Sequence, residues 1–202
     1  MLKQNKKLKT TQSSFGSFFA RFPLSPNQWT LLSLIIALIA GFAIAFLHDL
    51  IAGLMLFVLA AGVDAIDGAV ARAKKQVSKI GGFLDGVIDR FVEAIFLFSF
   101  MFYQLPTIYV DTKIWLSAVI FLGACMPSFI RAYADHKGVL STEKALKLGG
   151  ICERIERLMI LIIGLVVGIF YNMDFFIYSL ILVVALSLIT IIQRIVSVVN
   201  QK

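Results

Sequence analysis

Long apolar runs alternate along the chain with short polar breaks, and each run is close to the length that crosses a hydrocarbon core, about 20 residues. They extend from Trp29 to Leu47, Ile51 to Arg72, Phe83 to Tyr103, Ile114 to Ala134, Ile155 to Phe170 and Phe175 to Val199. This pattern predicts an all-α integral membrane protein with six transmembrane helices. Upstream, a basic tail (Lys3, Lys6, Lys7, Lys9) leads into Phe15, Phe18, Phe19 and Phe22 around Arg21, which predicts an N-terminal amphipathic helix lying at the interface. No small-residue cleavage site follows at the right distance, so this segment does not read as a signal peptide. The expected organisation is a cytoplasmic tail with its interfacial helix over residues 1–25, then a single six-helix bundle domain over residues 26–202.

The charges between the runs set the orientation, because Lys and Arg are poorly translocated and mark cytoplasmic loops. With both termini inside, 18 of the 19 Lys and Arg fall on the inner side and Lys113 alone falls outside. An odd number of crossings destroys that split. A multi-pass cell-membrane protein is therefore expected, with both termini and any chemistry facing the cytoplasm. The outer connections at 48–50, 104–113 and 171–174 are too short for an external domain. Composition agrees: the 202 residues are 59% hydrophobic and 15% charged, against roughly 25% charged in an average soluble domain. A soluble enzyme is excluded. The net charge of +7 is dispersed between spans, which suits anionic head groups and phosphorylated ligands and not nucleic acid. Cys125 and Cys152 have no metal-like spacing and read as small buried hydrophobes.

Four carboxylates interrupt the apolar pattern at the inner ends of the second and third spans: Asp64, Asp67, Asp85 and Asp89. Ionisable groups at membrane depth are costly, and their default reading is functional. The spacings i, i+3 and i, i+4 put each pair along one helical face. In an antiparallel hairpin, residues equidistant from the turn share a depth. Asp64 and Asp89 centre between Gln76 and Val77, and Asp67 and Asp85 centre on Gln76, so all four are expected near one point. Such a concentration of charge must retain protons or gather cations. An all-carboxylate donor set favours a hard ion, Mg2+ or Mn2+, and four acids suit two ions. The plainer alternative has the acids pairing with Arg72, Arg90, Lys74 and Lys75 to brace the hairpin. It leaves Gly68, Ala71 and the Gly81-Gly82 doublet unexplained, whereas small residues beside a charged pocket let a flat ligand approach the backbone.

Asp64, Asp67, Gly68, Ala71, Arg72, Gly81, Asp85 and Asp89 fill every fixed position of D-x2-D-G-x2-A-R-x8-G-x3-D-x3-D. In this the chain resembles the CDP-alcohol phosphotransferase family. The resemblance covers nearly the whole chain, including length, six spans behind an interfacial helix, and a Pro-Asn-x-x-Thr run at the first span, seen here as Pro26, Asn27 and Thr30. It implies transfer of a phosphoalcohol group from a CDP-linked lipid to an acceptor hydroxyl, with release of CMP. It further implies that Asp64, Asp67 and Asp85 hold the metals, and that Asp89 contributes to that site and takes the acceptor's proton. Gly68, Ala71 and Gly81 would let the cytidine lie against the helices, Arg72 would hold a phosphate, and Asn27 and Thr30 would contact the donor. Asn and Thr at a helix start are equally ordinary capping residues. The family is commonly dimeric, which implies a homodimer.

For the acceptor, Arg131 lies at the end of the fourth span while Arg154 and Arg157 open the fifth at i, i+3. Three guanidinium groups in one pocket facing the acids suit a doubly charged phosphate; the alternative is positive-inside anchors paired with Glu153 and Glu156. The Glu153-Arg154-Ile-Glu156-Arg157-Leu and Arg131-Ala-Tyr133-Ala-Asp135 stretches resemble the branch that uses inositol phosphate, although that branch often carries a basic residue where Tyr133 stands. A phosphorylated polyol, inositol phosphate, is the expected acceptor. Glycerol 3-phosphate, and CDP-inositol with inositol phosphate, remain alternatives. Glu93, one turn beyond Asp89, is expected to orient Arg131, contact acceptor hydroxyls or pair with Arg90. A cation transporter is the competing class, but it needs a polar path to the outer face, and the outer halves of these spans are almost wholly apolar.

Overall fold

The computed structural model describes residues 18–200. The basic tail (Lys3, Lys6, Lys7, Lys9) and Phe15 lie outside them, and with these most of the expected interfacial helix. Among the described residues the chain is all-α: α1 (Pro26–Ala45), α2 (Leu50–Ala73), α3 (Lys79–Ser99, closed by a 3-10 turn at Phe100–Phe102), α4 (Thr112–His136), α5 (Thr142–Leu146), α6 (Arg154–Phe170) and α7 (Asp174–Val199). Four of these, α1, α2, α4 and α7, are long and apolar enough to cross a membrane. The other two expected spans fold as helices but fall short of that measure. The first is α3, which carries Asp85, Asp89, Arg90 and Glu93, and the second is α6, which has only 17 residues. Apolar side chains cover the outside as well as the inside: Leu31, Ile35, Leu38 and Phe42 line the exposed face of α1, as a lipid-facing helix requires.

Local chemistry defines the helix ends. Ser25 caps α1 in a reciprocal box with Gln28, and Pro26 occupies the first turn, where its missing N–H costs nothing. Asn27 and Thr30 are therefore not the cap. Asp49 caps α2 by accepting from the Ala52 amide at 2.9 Å. At the far end of α2 the Gln76 amide reaches back to the Ala71 carbonyl at 2.9 Å, with Lys75 at φ 55°, a Schellman closure that reverses the chain into α3.

The contacts form two compact units, one ending at Phe96 and the other beginning at Leu97. In the first, α1 packs on α2 through a stripe of small residues (Thr30, Ser33, Ala37, Ala40) ending at Ile44. A Cβ on Gly53 would lie 2.2 Å from Ile44, so the two backbones approach more closely there than any other residue at 53 allows. The buried stripe of α2 runs Gly53, Phe57, Ala60, Asp64, Asp67; one helical face is apolar for three turns and acidic for the last. Phe57 stacks on Phe96 of α3 at 3.8 Å.

In the second unit, α4 is one helix with a π-wide stretch at Val119–Cys125 just before Pro127, where the ring removes a donor from the ladder. Cys152 is buried as expected, but Cys125, the last residue of the π-wide stretch, is exposed. α6 and α7 form a close antiparallel pair: a Cβ on Gly164 would lie 2.3 Å from Ser179 Cβ and Oγ. Gly164→Ala is expected to overpack this crossing by about 1–3 kcal/mol and lower the melting temperature in detergent. Adding Ser179→Gly should recover most of the loss, whereas a Gly164→Ala protein that melts like wild type would contradict the crossing.

Candidate functional site

The face of α2 that packs Gly53, Phe57 and Ala60 also carries Asp64 and Asp67, and the first turns of α3 carry Asp85. Reversal at Lys75 brings the two helices back to back, so that one oxygen from each of Asp64, Asp67 and Asp85 lies within 4.8 Å of the others. Asp89, a turn further along α3, is not one of this group; it is buried and pairs with Arg90 at 3.3 Å. Mirror symmetry about Gln76 thus brings three of the four acids together. Three hard oxygen donors at that separation, largely shielded from water, match the first coordination shell of a small divalent cation.

A cavity of about 330 Å³ opens beside these carboxylates, within the usual range for a small-molecule site. Asp67 and Asp85 form its acidic wall, and Asn27, Thr30, Gly68, Ala71, Arg72 and Gly81 line the rest, so the six residues assigned to donor binding share one hollow. A Cβ on Gly68 would meet only the tip of Arg72, at 3.4 Å; the glycine leaves space in the cavity and serves no packing need. At Gly81 a Cβ would press on Ser78 Oγ at 3.0 Å and Asn27 Oδ1 at 3.4 Å. The Thr30 hydroxyl donates to Asp67 Oδ2, a contact that sequence periodicity within a single helix has no means of signalling.

Of the bases the bracing alternative assigned to the acids, Lys74 is engaged elsewhere and Arg90 pairs with Asp89. Lys74 Nζ donates to the Leu24 carbonyl at 2.7 Å and the Phe22 carbonyl at 3.0 Å, tying the chain ahead of α1 to the end of α2. Arg90 bonds the Gly86 carbonyl at 2.9 Å as well as Asp89. Glu93 is 1% exposed, a buried continuation of the acidic face of α3.

The guanidinium groups cluster in the second unit. Arg157, 4% exposed, threads past α4 where Gly123 makes room; a Cβ there would lie 2.9 Å from Arg157 Cδ. Arg131 Nη2 donates to the Leu148 carbonyl at 2.9 Å. Both exert a field on Arg194 of α7. Arg194 is also 4% exposed, and it donates to the Pro127 carbonyl at 2.5 Å and to Glu153 Oε1 at 3.2 Å. Sequence reading counted Arg194 only as a cytoplasmic anchor; its spacing from the other three gives no hint of this junction. Arg154, half-buried, starts α6. Glu156 accepts from the Glu153 amide at 3.2 Å, while Glu153 pairs with Arg194. Tyr133 stacks on Phe129 at 5.2 Å and holds the Lys137 ammonium 5.4 Å over its ring.

Together, the helical membrane fold and the carboxylate-walled cavity define an integral membrane enzyme of lipid head-group chemistry. The chain belongs to the CDP-alcohol phosphatidyltransferase family, whose sequence profile matches residues 23–198; it is a transferase of phospholipid biosynthesis. It is 35% identical over 190 residues to the archaetidylinositol phosphate synthase of Pyrococcus horikoshii, covering 94% of this chain and 91% of the relative. It is 30% identical to the phosphatidylinositol phosphate synthase of Corynebacterium glutamicum over 87% of this chain and 78% of that one. The fold is similar to the crystal structure of Mycobacterium tuberculosis phosphatidylinositol phosphate synthase with CDP-DAG bound (TM-score 0.73, 22% identity, 93% of this chain and 92% of that one).

The Arg194 junction generates a stability prediction. Arg194→Met should lower the melting temperature, with a loss of about 1–3 kcal/mol for a charge-assisted pair of bonds, toward the lower end because Glu153 is 42% exposed and rehydrates. Glu153→Gln, which keeps an acceptor, should cost less; equal melting of all three proteins would remove Arg194 from the frame.

Proposed function

We propose that the protein transfers a phosphatidyl or archaetidyl group from a CDP-linked lipid to a hydroxyl of inositol phosphate, releasing CMP, with two Mg2+ or Mn2+ ions held by Asp64, Asp67, Asp85 and Asp89. The observation that carries this reading is the convergence of Asp64, Asp67 and Asp85 beside a cavity lined by Gly68, Ala71, Arg72 and Gly81. A divalent cation bound there supplies charge neutralisation for the donor diphosphate and for the leaving CMP. Around it, Gly68, Ala71 and Gly81 give the cytidine access to the helix backbones, and Arg72 pairs with a phosphate. Asn27 and Thr30 close the wall on the α1 side. Asp89 accepts the proton of the attacking hydroxyl. The acceptor oxygen then bonds to the lipid-bearing phosphorus as the bond from that phosphorus to the CMP oxygen breaks, so charge and atoms balance.

Arg131, Arg154 and Arg157 take the acceptor's phosphate, since guanidinium forks match its oxygens and charge. The acceptor assignment is supported by the relatives that are named inositol phosphate lipid synthases. One observation favours a second reading, CDP-inositol joined to inositol phosphate: 72% of this chain is 30% identical to 34% of an Aquifex aeolicus protein named bifunctional IPC transferase and DIPP synthase. The proposal includes six crossings with both termini and the site cytoplasmic, an interfacial N-terminal helix, one catalytic domain over 26–202, and a homodimer in the membrane.

Membranes incubated with Mg2+, a CDP-lipid and labelled acceptors test the reading. Product is expected with inositol phosphate and not with glycerol 3-phosphate; a preference for CDP-inositol as donor would establish the second reading. Activity should vanish in EDTA and in Asp64→Asn, Asp67→Asn or Asp85→Asn, and full turnover in any of these would overturn the metal site. Asp89→Asn should keep most CDP affinity and lose turnover. Arg154→Ala should raise the acceptor KM about 10- to 150-fold, the equivalent of roughly 1.5–3 kcal/mol for one charge-assisted contact, while the donor KM stays nearly constant.

A further inference from the structure

We infer that Thr30 is a positioning residue for the metal site: its hydroxyl restrains the Asp67 carboxylate, and it acts on the reaction through Asp67 and not by contact with the nucleotide. This rests on the metal reading of the acidic cluster proposed above.

The first observation is the bond itself, from Thr30 Oγ1 to Asp67 Oδ2, between side chains that are 4% and 6% exposed. A hydroxyl has one proton. Its other acceptor within reach is the Pro26 carbonyl one turn back, at 3.2 Å, so both directions in which Thr30 can donate are taken by protein. Both side chains are largely withdrawn from solvent, and the bond resists rotation of the carboxylate about its last torsion. The second observation is the register of the α1–α2 hairpin. Ile44 meets Gly53 at the far end of the two helices, and Thr30 meets Asp67 at the near end; both pairs are centred between His48 and Asp49. Close packing at the glycine therefore sets the Thr30–Asp67 contact about 21 Å away along α1, 14 residues at 1.5 Å each. Third, helix capping gives Thr30 no other duty, because Ser25 and Gln28 form the cap. A β-branched side chain in a helix has few rotamers, and the one Thr30 adopts places its hydroxyl within reach of both the Pro26 carbonyl and Asp67.

Partners that orient a ligating carboxylate typically change metal affinity 10- to 100-fold when removed. The test uses the purified full-length protein and Mn2+ alone, with free Mn2+ read by electron paramagnetic resonance in the absence of nucleotide. Thr30→Val, which deletes the hydroxyl at nearly constant shape, is expected to weaken Mn2+ binding by about 10- to 100-fold, and Thr30→Ser to restore it to near wild type. Turnover of Thr30→Val should climb back toward wild type as Mn2+ is raised, and CDP affinity at saturating Mn2+ should be unchanged. Should Thr30→Val lose its monodisperse elution, Thr30→Ala makes the same deletion with less bulk. Wild-type Mn2+ affinity in the folded deletion variant, or a loss of CDP affinity that persists at saturating Mn2+, overturns the inference and leaves the metal site standing. Equal Mn2+ binding by wild type and Asp67→Asn overturns the metal reading itself, and this inference with it.

Discussion

Everything at this site depends on how closely α1 can lie against α2. Helices in lipid gain nothing from simple apolar contact, because the surrounding tails are equally apolar, and they associate where small residues let their backbones meet. Ala37 and Ala40 on α1 and Gly53 on α2 provide that surface. Once Ile44 seats over Gly53, the rigid rise of each helix carries the register to the cytoplasmic end, where Thr30 faces Asp67. The same α2 face that is apolar through Ala60 becomes acidic at Asp64 and Asp67, so the packing that builds the unit also points the carboxylates inward.

Holding those acids together is expensive. Two unit charges 4.8 Å apart repel by about 3 kcal/mol at an effective dielectric of 20, and three carboxylates make three such pairs. Lys74 is occupied with backbone carbonyls and Arg90 turns to Asp89. A divalent cation relieves the repulsion where it arises and uses the oxygens already aimed at it. The glycines alongside have the complementary role: Gly68 contacts nothing that a methyl would disturb beyond the Arg72 tip, so its value lies in the space it leaves in the cavity.

The second unit handles the opposite charge in a different way. Buried guanidinium groups are costly unless their donors find partners; Arg194 and Arg131 place terminal nitrogens on the carbonyls of Pro127 and Leu148, while the Nε of each is buried without one among the described residues. On α4, Gly123 makes room for Arg157 and the Pro127 carbonyl accepts from Arg194. Arg194 thereby links α4 to the start of α6 through Glu153, and the arginines proposed to meet the acceptor stand on a framework held by a fourth.

The helical membrane class, the order of the helices and the acidic signature were legible in the sequence because they rest on local quantities: hydropathy over a span, the 3.6-residue turn, and the spacing of Asp64, Asp67, Gly68, Ala71, Arg72, Gly81, Asp85 and Asp89. Mirror symmetry about Gln76 even anticipated that acids from α2 and α3 would meet. What it missed followed from geometry between elements. Three of the four carboxylates share one point, although Phe57 and Phe96, two turns deeper at the same mirror positions as Asp64 and Asp89, still stack; side-chain direction at each level decides which acids meet. Thr30 as a partner of Asp67, Arg194 as a junction of three helices, and the exposure of Cys125 were decided only by tertiary structure. Each depends on the register and roll of one helix against another, which interhelical packing determines and the periodicity of a single helix does not contain.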